Sequence, residues 1–267
     1  MIESRRWTLP GTEARLAVHS WVSDKPGWIA LFSHAYAEHA GRYHRLAEKL
    51  AASRAVVCAV DMAGHGDSEG EPGVVEDVEH LVGDLETLRR RVVEWYPGLP
   101  VVSIGHGLGG TVAVRHAQEY QEHLVALVLS APVLGTFNAL DLLADERIPR
   151  TPVDPANLSR DPEVGREYLA DPLVYHGPFP RSTLTAVAKM LRTIGDGPTL
   201  AVPTLWLHGE NDELVPEADT REGMERLRGP EFHEHGYAGA RHDLFHETNA
   251  EEVLHDVVTF IGRELNT

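Results

Sequence analysis

Three places in the chain carry residues able to act together on a carbonyl group. The first is Gly105-His106-Gly107-Leu108-Gly109, a Gly-rich turn between an apolar run and an amphipathic one. A strand-to-helix elbow that presents a nucleophile needs small neighbours, and Gly105 and Gly109 supply them. Its pattern is G-x-S-x-G, so Gly107 stands at the serine position. Taken alone, the turn is equally a packing turn or a phosphate cradle. A Walker loop would end in Gly-Lys-Ser/Thr, and "GGTV" lacks the lysine. A dinucleotide fingerprint would follow the first strand of its unit, which this turn does not. The second place is "LHGENDELVP", with Asp212 just beyond a strand end, where a carboxylate can orient a histidine. The third is "YAGARHDLFHE", with His242 in a loop, where it can serve as a general base. Asp243 and His246 read as loop hydrogen-bonding residues, and Glu210, Asn211 and Glu213 as solvated neighbours.

These residues need a scaffold. "WIALFSH", "AVVCAVDMAGHG", "PVVSIGHG", "LVALVLSAP" and "TLWLHGENDELV" are apolar runs of strand length, and "EFHEHGYAG" is a further strand. "RRWTLPGTEARLAVHSWV" reads as two short strands around a Pro-Gly turn. Between the runs lie amphipathic stretches, among them a long helix from Val74 to Trp95 and a last helix bearing Val253, Leu254, Val257 and Ile261. Apolar strands alternating with such helices imply an α/β fold with a mostly parallel sheet covered on both faces. The alternation breaks once, in a Pro- and Asp-rich stretch. The expected division is therefore a core of residues 1–134 and 199–267 with an inserted cap, residues 135–198, over the strand ends where ligands bind.

Composition narrows the partners. The 267 residues carry a formal net charge of -17, which repels phosphate backbones and excludes nucleic acid. A single cysteine, Cys58, forbids an internal disulfide and fits a reducing compartment. No apolar run has the length of a signal peptide or a membrane span, so a soluble, cytoplasmic protein without a stable membrane anchor is expected. His34, His39 and His44 match no zinc spacing and no H-E-x-x-H occurs, so neither metal nor cofactor is expected.

The order of elbow, carboxylate and histidine is that of the α/β-hydrolases. The chain resembles their monoacylglycerol lipase and lysophospholipase-like branch over nearly its whole length. The match lies in His34-Ala35-Tyr36-Ala37-Glu38-His39-Ala40-Gly41-Arg42-Tyr43, in Asp61-Met62-Ala63-Gly64-His65-Gly66-Asp67-Ser68, in the Gly105–Gly110 turn, in Gly209-Glu210-Asn211-Asp212 and in the segment Leu158–Gly177. The resemblance implies a serine carboxylic-ester hydrolase acting on monoacylglycerols or similar small esters, with an α/β-hydrolase fold and an inserted cap. It implies Asp212 and His242 as acid and base, and the backbone N–H groups of Tyr36 and Leu108 as the oxyanion hole. Glu38 and Arg42 would brace the oxyanion loop, His106 would line the site, and Tyr168 would lie near the polar head of the ester. Asp61 to Ser68 would be a structural turn. The acyl wall would draw on Leu134, Phe137, Leu140, Leu142 and Leu143, which are equally helix-packing residues. The cap would touch lipid only transiently.

Two departures from the pattern matter. Ala35 replaces a glycine of the oxyanion loop, and Gly107 replaces the nucleophile. Glycine has no Oγ, so no acyl-enzyme forms by the serine route. Ser103, Ser130 and Cys58 lie at the wrong places to substitute. Activity close to background is expected. Gly107 reads as an engineered exchange from serine; the alternative is a natural non-catalytic relative that binds a small hydrophobic ester or acyl ligand.

Overall fold

Apolar runs that are buried on both faces can only lie at the centre of a covered sheet. In a computed structural model describing residues 2–150 and 153–266, five of them do. Met1, Thr151, Pro152 and Thr267, which the expected core and cap ranges include, lie outside the described residues. The five are β3 (Trp28–Ser33), β4 (Ala55–Val60), β5 (Val101–His106), β6 (Ala126–Ser130) and β7 (Thr204–Gly209), each buried at every residue. With β1 (Ile2–Pro10), β2 (Arg15–Ser23) and β8 (Phe232–Tyr237) they form one eight-stranded sheet in the order β1-β2-β4-β3-β5-β6-β7-β8. β1 and β2 pair antiparallel, as do β2 and β4; every other ladder is parallel. The chain therefore has the mostly parallel α/β architecture that its patterning implies.

Helices cover both faces. α1 (His44–Ala52) and α7 (Ala250–Glu264) pack Leu46, Leu50, Leu254 and Val257 against one face. α2 (Val78–Trp95), α3 (Leu108–Tyr120), α5 (Arg181–Asp196) and α6 (Glu217–Leu227) contribute Leu85, Val112, Met190 and Met224 to the core on the other. α2 begins at Val78 rather than at Val74, because the Asp77 carboxylate accepts the Glu79 N–H and caps the helix there. The long connection from β6 to β7 holds short 3-10 turns at Asn138–Ala144 and Pro155–Asn157, then α4 (Pro162–Ala170), then α5. Leu158, Tyr168 and Val174 form a small cluster of their own, whereas α5 buries Ala186, Val187 and Ile194 in the main core. No helix among the described residues is long and apolar enough to cross a membrane.

The register positions the chemistry. Ser33 pairs with Gly105, His106 with Ser130, Ser130 with Leu207, and Gly209 with Tyr237. The loops after β3, β5, β7 and β8 therefore open at one edge of the sheet, and these loops carry Tyr36, Gly107, Asp212 and His242.

Candidate active site

β5 ends at His106 and α3 begins at Leu108, so one residue makes the turn. Gly107 makes it at φ 55° and ψ -122°, backbone that L-residues rarely adopt. Its N–H donates to the Ser130 carbonyl at 3.1 Å, and its carbonyl accepts the Val133 N–H at 3.1 Å. The flanking glycines are required by contact. A β-carbon on Gly105 would stand 2.3 Å from the Gly109 carbonyl oxygen, and one on Gly109 would stand 2.1 Å from that of Ser33. Strand, elbow and helix thus touch backbone to backbone. A β-carbon on Gly107 would stand 3.4 Å from His242 Nε2.

That imidazole is held from behind. His242 Nδ1 donates to Asp212 Oδ2 at 2.7 Å, and Asp212 Oδ1 accepts the Leu214 and Val215 N–H groups at 2.9 Å each. Burial alone would raise the Asp212 pKa, but His242 and His208 more than offset it and hold the carboxyl well below its usual range. Burial pulls the His242 pKa down; Asp212, aided by Asp243 and Glu38, outweighs this, and the net shift is upward. The ring is therefore fixed with Nδ1–H toward Asp212 and Nε2 toward Gly107, the arrangement of a general base. Reading the sequence missed His208. It lies 3.4 Å from Asp212 Oδ2 and donates from Nε2 to the Val215 carbonyl at 2.8 Å, bracing the turn that carries the acid. Its signal was its position four residues before Asp212.

The loop after β3 is anchored just as firmly. His34 Nε2 accepts the Met62 N–H at 2.9 Å and Nδ1 donates to the Ala35 carbonyl at 2.7 Å. Burial pushes its pKa down to about 4, which keeps the ring neutral and able to accept. The Tyr36 hydroxyl donates to the Gly73 carbonyl at 2.9 Å, and its ring stacks on Phe179. Glu38 accepts from the Tyr43 hydroxyl at 2.7 Å and from Arg42 Nε at 3.3 Å. Arg42 in turn lies 5.3 Å over the Tyr168 ring. His246 bridges Asp243 Oδ1 and the Arg42 carbonyl, at 2.8 Å each, and so ties the His242 loop to the β3 loop.

Asp61 closes the same region from beneath. Its Oδ1 accepts the Ala40 N–H at 2.8 Å, and Oδ2 accepts the Asp67 N–H at 2.9 Å. Burial opposes ionisation, but His19, His34 and the Asp67 N–H bring the pKa down from 3.8 to about 2. A depressed carboxylate stabilises the fold above its unfolded pKa, and that stabilisation, roughly 2 kcal/mol here, is lost as pH falls toward the folded pKa. Thermal unfolding scans should show the midpoint falling between pH 3.8 and about 2. In an Asp61→Asn variant the midpoint should start lower and fall less over that range. An unchanged acid slope in the variant would remove Asp61 from this role.

A cavity of about 500 Å³ opens above Gly107. Ala35, Leu108, Val133, Phe137, Leu142, Leu158, Phe179, Val187 and Leu214 give it an apolar wall. Of the expected site residues, Tyr36, Glu38, Gly107, Leu108, Tyr168 and His242 line it. Asp212 lies behind His242, and Arg42 lies behind Glu38. His106 does not line it, which corrects the expectation. The ring is fully buried, and Nδ1 meets the Ser130 carbonyl at 3.0 Å, which turns it into the interior. Burial pushes its pKa down to about 3, so it is neutral. Of the expected acyl wall, Phe137 and Leu142 face the cavity, while Leu134 lies in the core and the half-buried Leu140 packs against it. The other candidate nucleophiles are remote in environment. Ser103 is fully buried within β5, Ser130 Oγ contacts His106, and burial pushes the Cys58 thiol up to about 12.

Known proteins carry the same arrangement of sequence and fold. A family described as serine aminopeptidase, S33, matches residues 24–249. The chain is 33% identical over 263 residues to a monoacylglycerol lipase of Mycolicibacterium smegmatis, covering 94% of each. It is 32% identical over 261 residues to a monoglyceride lipase of Homo sapiens, covering 91% of this chain and 84% of that protein. The crystal structure of a monoacylglycerol lipase of Paleococcus ferrophilus superposes with a TM-score of 0.79 at 25% identity, covering 95% of this chain and all of that one.

Proposed function

This chain belongs to the serine aminopeptidase S33 family of α/β-hydrolases, and on that premise we propose a carboxylic-ester hydrolase site of the monoacylglycerol lipase type with glycine at the nucleophile position. One observation carries the reading. His242 Nε2, oriented by Asp212, faces Gly107 at a distance that suits a serine side chain there. In that reading Asp212 is the acid, His242 the base, and the Tyr36 and Leu108 N–H groups the oxyanion hole. Leu108 opens α3, where the first N–H groups of a helix have no partner in their own turn. The acyl chain lies along the apolar wall, and the alcohol lies at Glu38 and Tyr168, with Arg42 holding Glu38 in place. Residues 135–198 act as the cap over a core of residues 1–134 and 199–267.

With a hydroxyl at position 107, His242 Nε2 would take its proton as the oxygen attacks the ester carbon. The oxyanion would form against the two N–H groups. Collapse would release the alcohol, protonated by His242, and a water deprotonated by the same nitrogen would free the fatty acid. With glycine there, the ester stays intact, and only water activated by His242 gives residual turnover. The chain as it stands should therefore bind a monoacylglycerol saturably, followed by calorimetry, while releasing fatty acid at near the buffer rate. Rapid turnover would refute the loss of the nucleophile. No binding of any monoacylglycerol would refute the substrate class.

A further inference from the structure

We infer that Ala35 and Gly107 are a matched pair: the Ala35 methyl fills the space that a side chain at position 107 needs, so this loop has settled around the missing nucleophile. The inference rests on the site assignment proposed above. Its observation is a distance. A β-carbon on Gly107 would stand 2.9 Å from the Ala35 β-carbon and 3.5 Å from its α-carbon. Two carbons at 2.9 Å overlap well inside their optimal separation of about 3.5–4.0 Å. The overlapping atom is a methyl fixed to the main chain, so it cannot swing away.

Neither backbone is free to retreat. The Ala35 carbonyl accepts from His34 Nδ1 at 2.7 Å, and the next residue, Tyr36, is tied by its hydroxyl to Gly73 and by its ring to Phe179. The Ala37 carbonyl accepts the Tyr175 N–H at 2.8 Å. On the other side, Gly107 is held by Ser130 and Val133, and α3 leans on the carbonyls of Ser33 and His34 with no room for a β-carbon at Gly109. A side chain at position 107 therefore displaces the loop that carries the Tyr36 N–H. The two departures from the family pattern, 72 positions apart in the chain, meet at one contact. A single exchange made in a working enzyme would leave a loop shaped for serine. The contact instead favours a chain that holds its ester or acyl ligand without turnover.

The test is a double-mutant cycle read in two ways. Gly107→Ser and Gly107→Ala should each lower the melting temperature by about 3–8 °C, the cost of overpacking a well-filled site in a chain of this size. Adding Ala35→Gly should recover most of that loss in both backgrounds. In turnover of a monoacylglycerol, Ala35→Gly/Gly107→Ser should exceed Gly107→Ser about 100-fold in kcat with little change in KM, because the displaced group serves the transition state. A melting temperature that Ala35→Gly does not rescue would overturn the pairing, since strain from the positive φ alone is indifferent to Ala35. Rescue of stability with no turnover in either serine form would keep the pairing and remove the hydrolase reading. Equal turnover in both serine forms with no rescue would do the reverse.

Discussion

The double variant Ala35→Gly/Gly107→Ser is expected to release fatty acid from a monoacylglycerol about 10,000-fold faster than the chain as it stands. The size follows from what a nucleophile contributes when the rest of its machinery is in place. Loss of the serine from an assembled triad costs about a million-fold in kcat, and the expected gain leaves about 100-fold for the imperfect positioning of an introduced side chain. On the proposed assignment, the acid and the base already stand where the reaction needs them. Asp212 is fixed by two N–H donors and by His208. His242 Nε2 faces the turn, and Gly107 already holds the backbone angles that an elbow requires. Only a hydroxymethyl group is added, and Ala35→Gly gives it room. Assay of free fatty acid from a monoacylglycerol, with the unaltered chain in parallel, measures the gain. A gain below about tenfold would mean that the elbow does not present its side chain to the ester.

In that restored background, His242→Ala and Asp212→Asn are each expected to reduce kcat by about 10,000-fold. His242→Ala removes the base outright. Asp212→Asn leaves a side chain of the same shape but turns the imidazole to the wrong tautomer, since an amide nitrogen cannot accept from Nδ1–H. The two variants separate in their pH dependence. His242 must be neutral at Nε2 to act, and its pKa is raised above 6.5 chiefly because Asp212 overcomes the effect of burial. Activity of the restored chain should accordingly fall as pH drops through a value above 6.5. Asp212→Asn removes the largest opposition to burial and leaves only Asp243 and Glu38, so the residual activity should keep its acid limb at a lower pH. An acid limb that stays in place in Asp212→Asn would assign the upward shift to Asp243 or Glu38 instead.

Much of the scaffold was legible because it follows from local pattern. β3, β4, β5, β6 and β7 are unbroken apolar runs, and each is buried throughout. Tight Gly turns and capping residues mark where they end. The gathering of Tyr36, Gly107, Asp212 and His242 at one edge follows from parallel register, which alternation of strands and helices implies. What was not legible depends on partners far away in the chain. The inward turn of His106 is decided by the Ser130 carbonyl 24 positions on. The position of Arg42 behind the cavity wall is decided by Glu38, Asp243 and the Tyr168 ring. Packing of α5 into the main core reflects an amphipathic face whose counterpart lies on other helices. The contact of Ala35 with position 107 is the clearest case. Each residue stands out in its own segment as a departure from the pattern, but the 2.9 Å separation that links them exists only once β3 and β5 are neighbours.

On the proposed assignment, Asp212, His242 and the oxyanion donors stand ready, and the site lacks its nucleophile and the room beside Ala35 that a nucleophile needs. Its most direct test is the intact mass of the Ala35→Gly/Gly107→Ser protein after exposure to an alkyl fluorophosphonate, with the unaltered chain and a His242→Ala form of the double variant alongside. One phosphonyl adduct per chain, placed by peptide mapping on the introduced serine, is expected within minutes in the double variant and in neither control. No adduct on that serine, or equal labelling of the His242→Ala form, would contradict it.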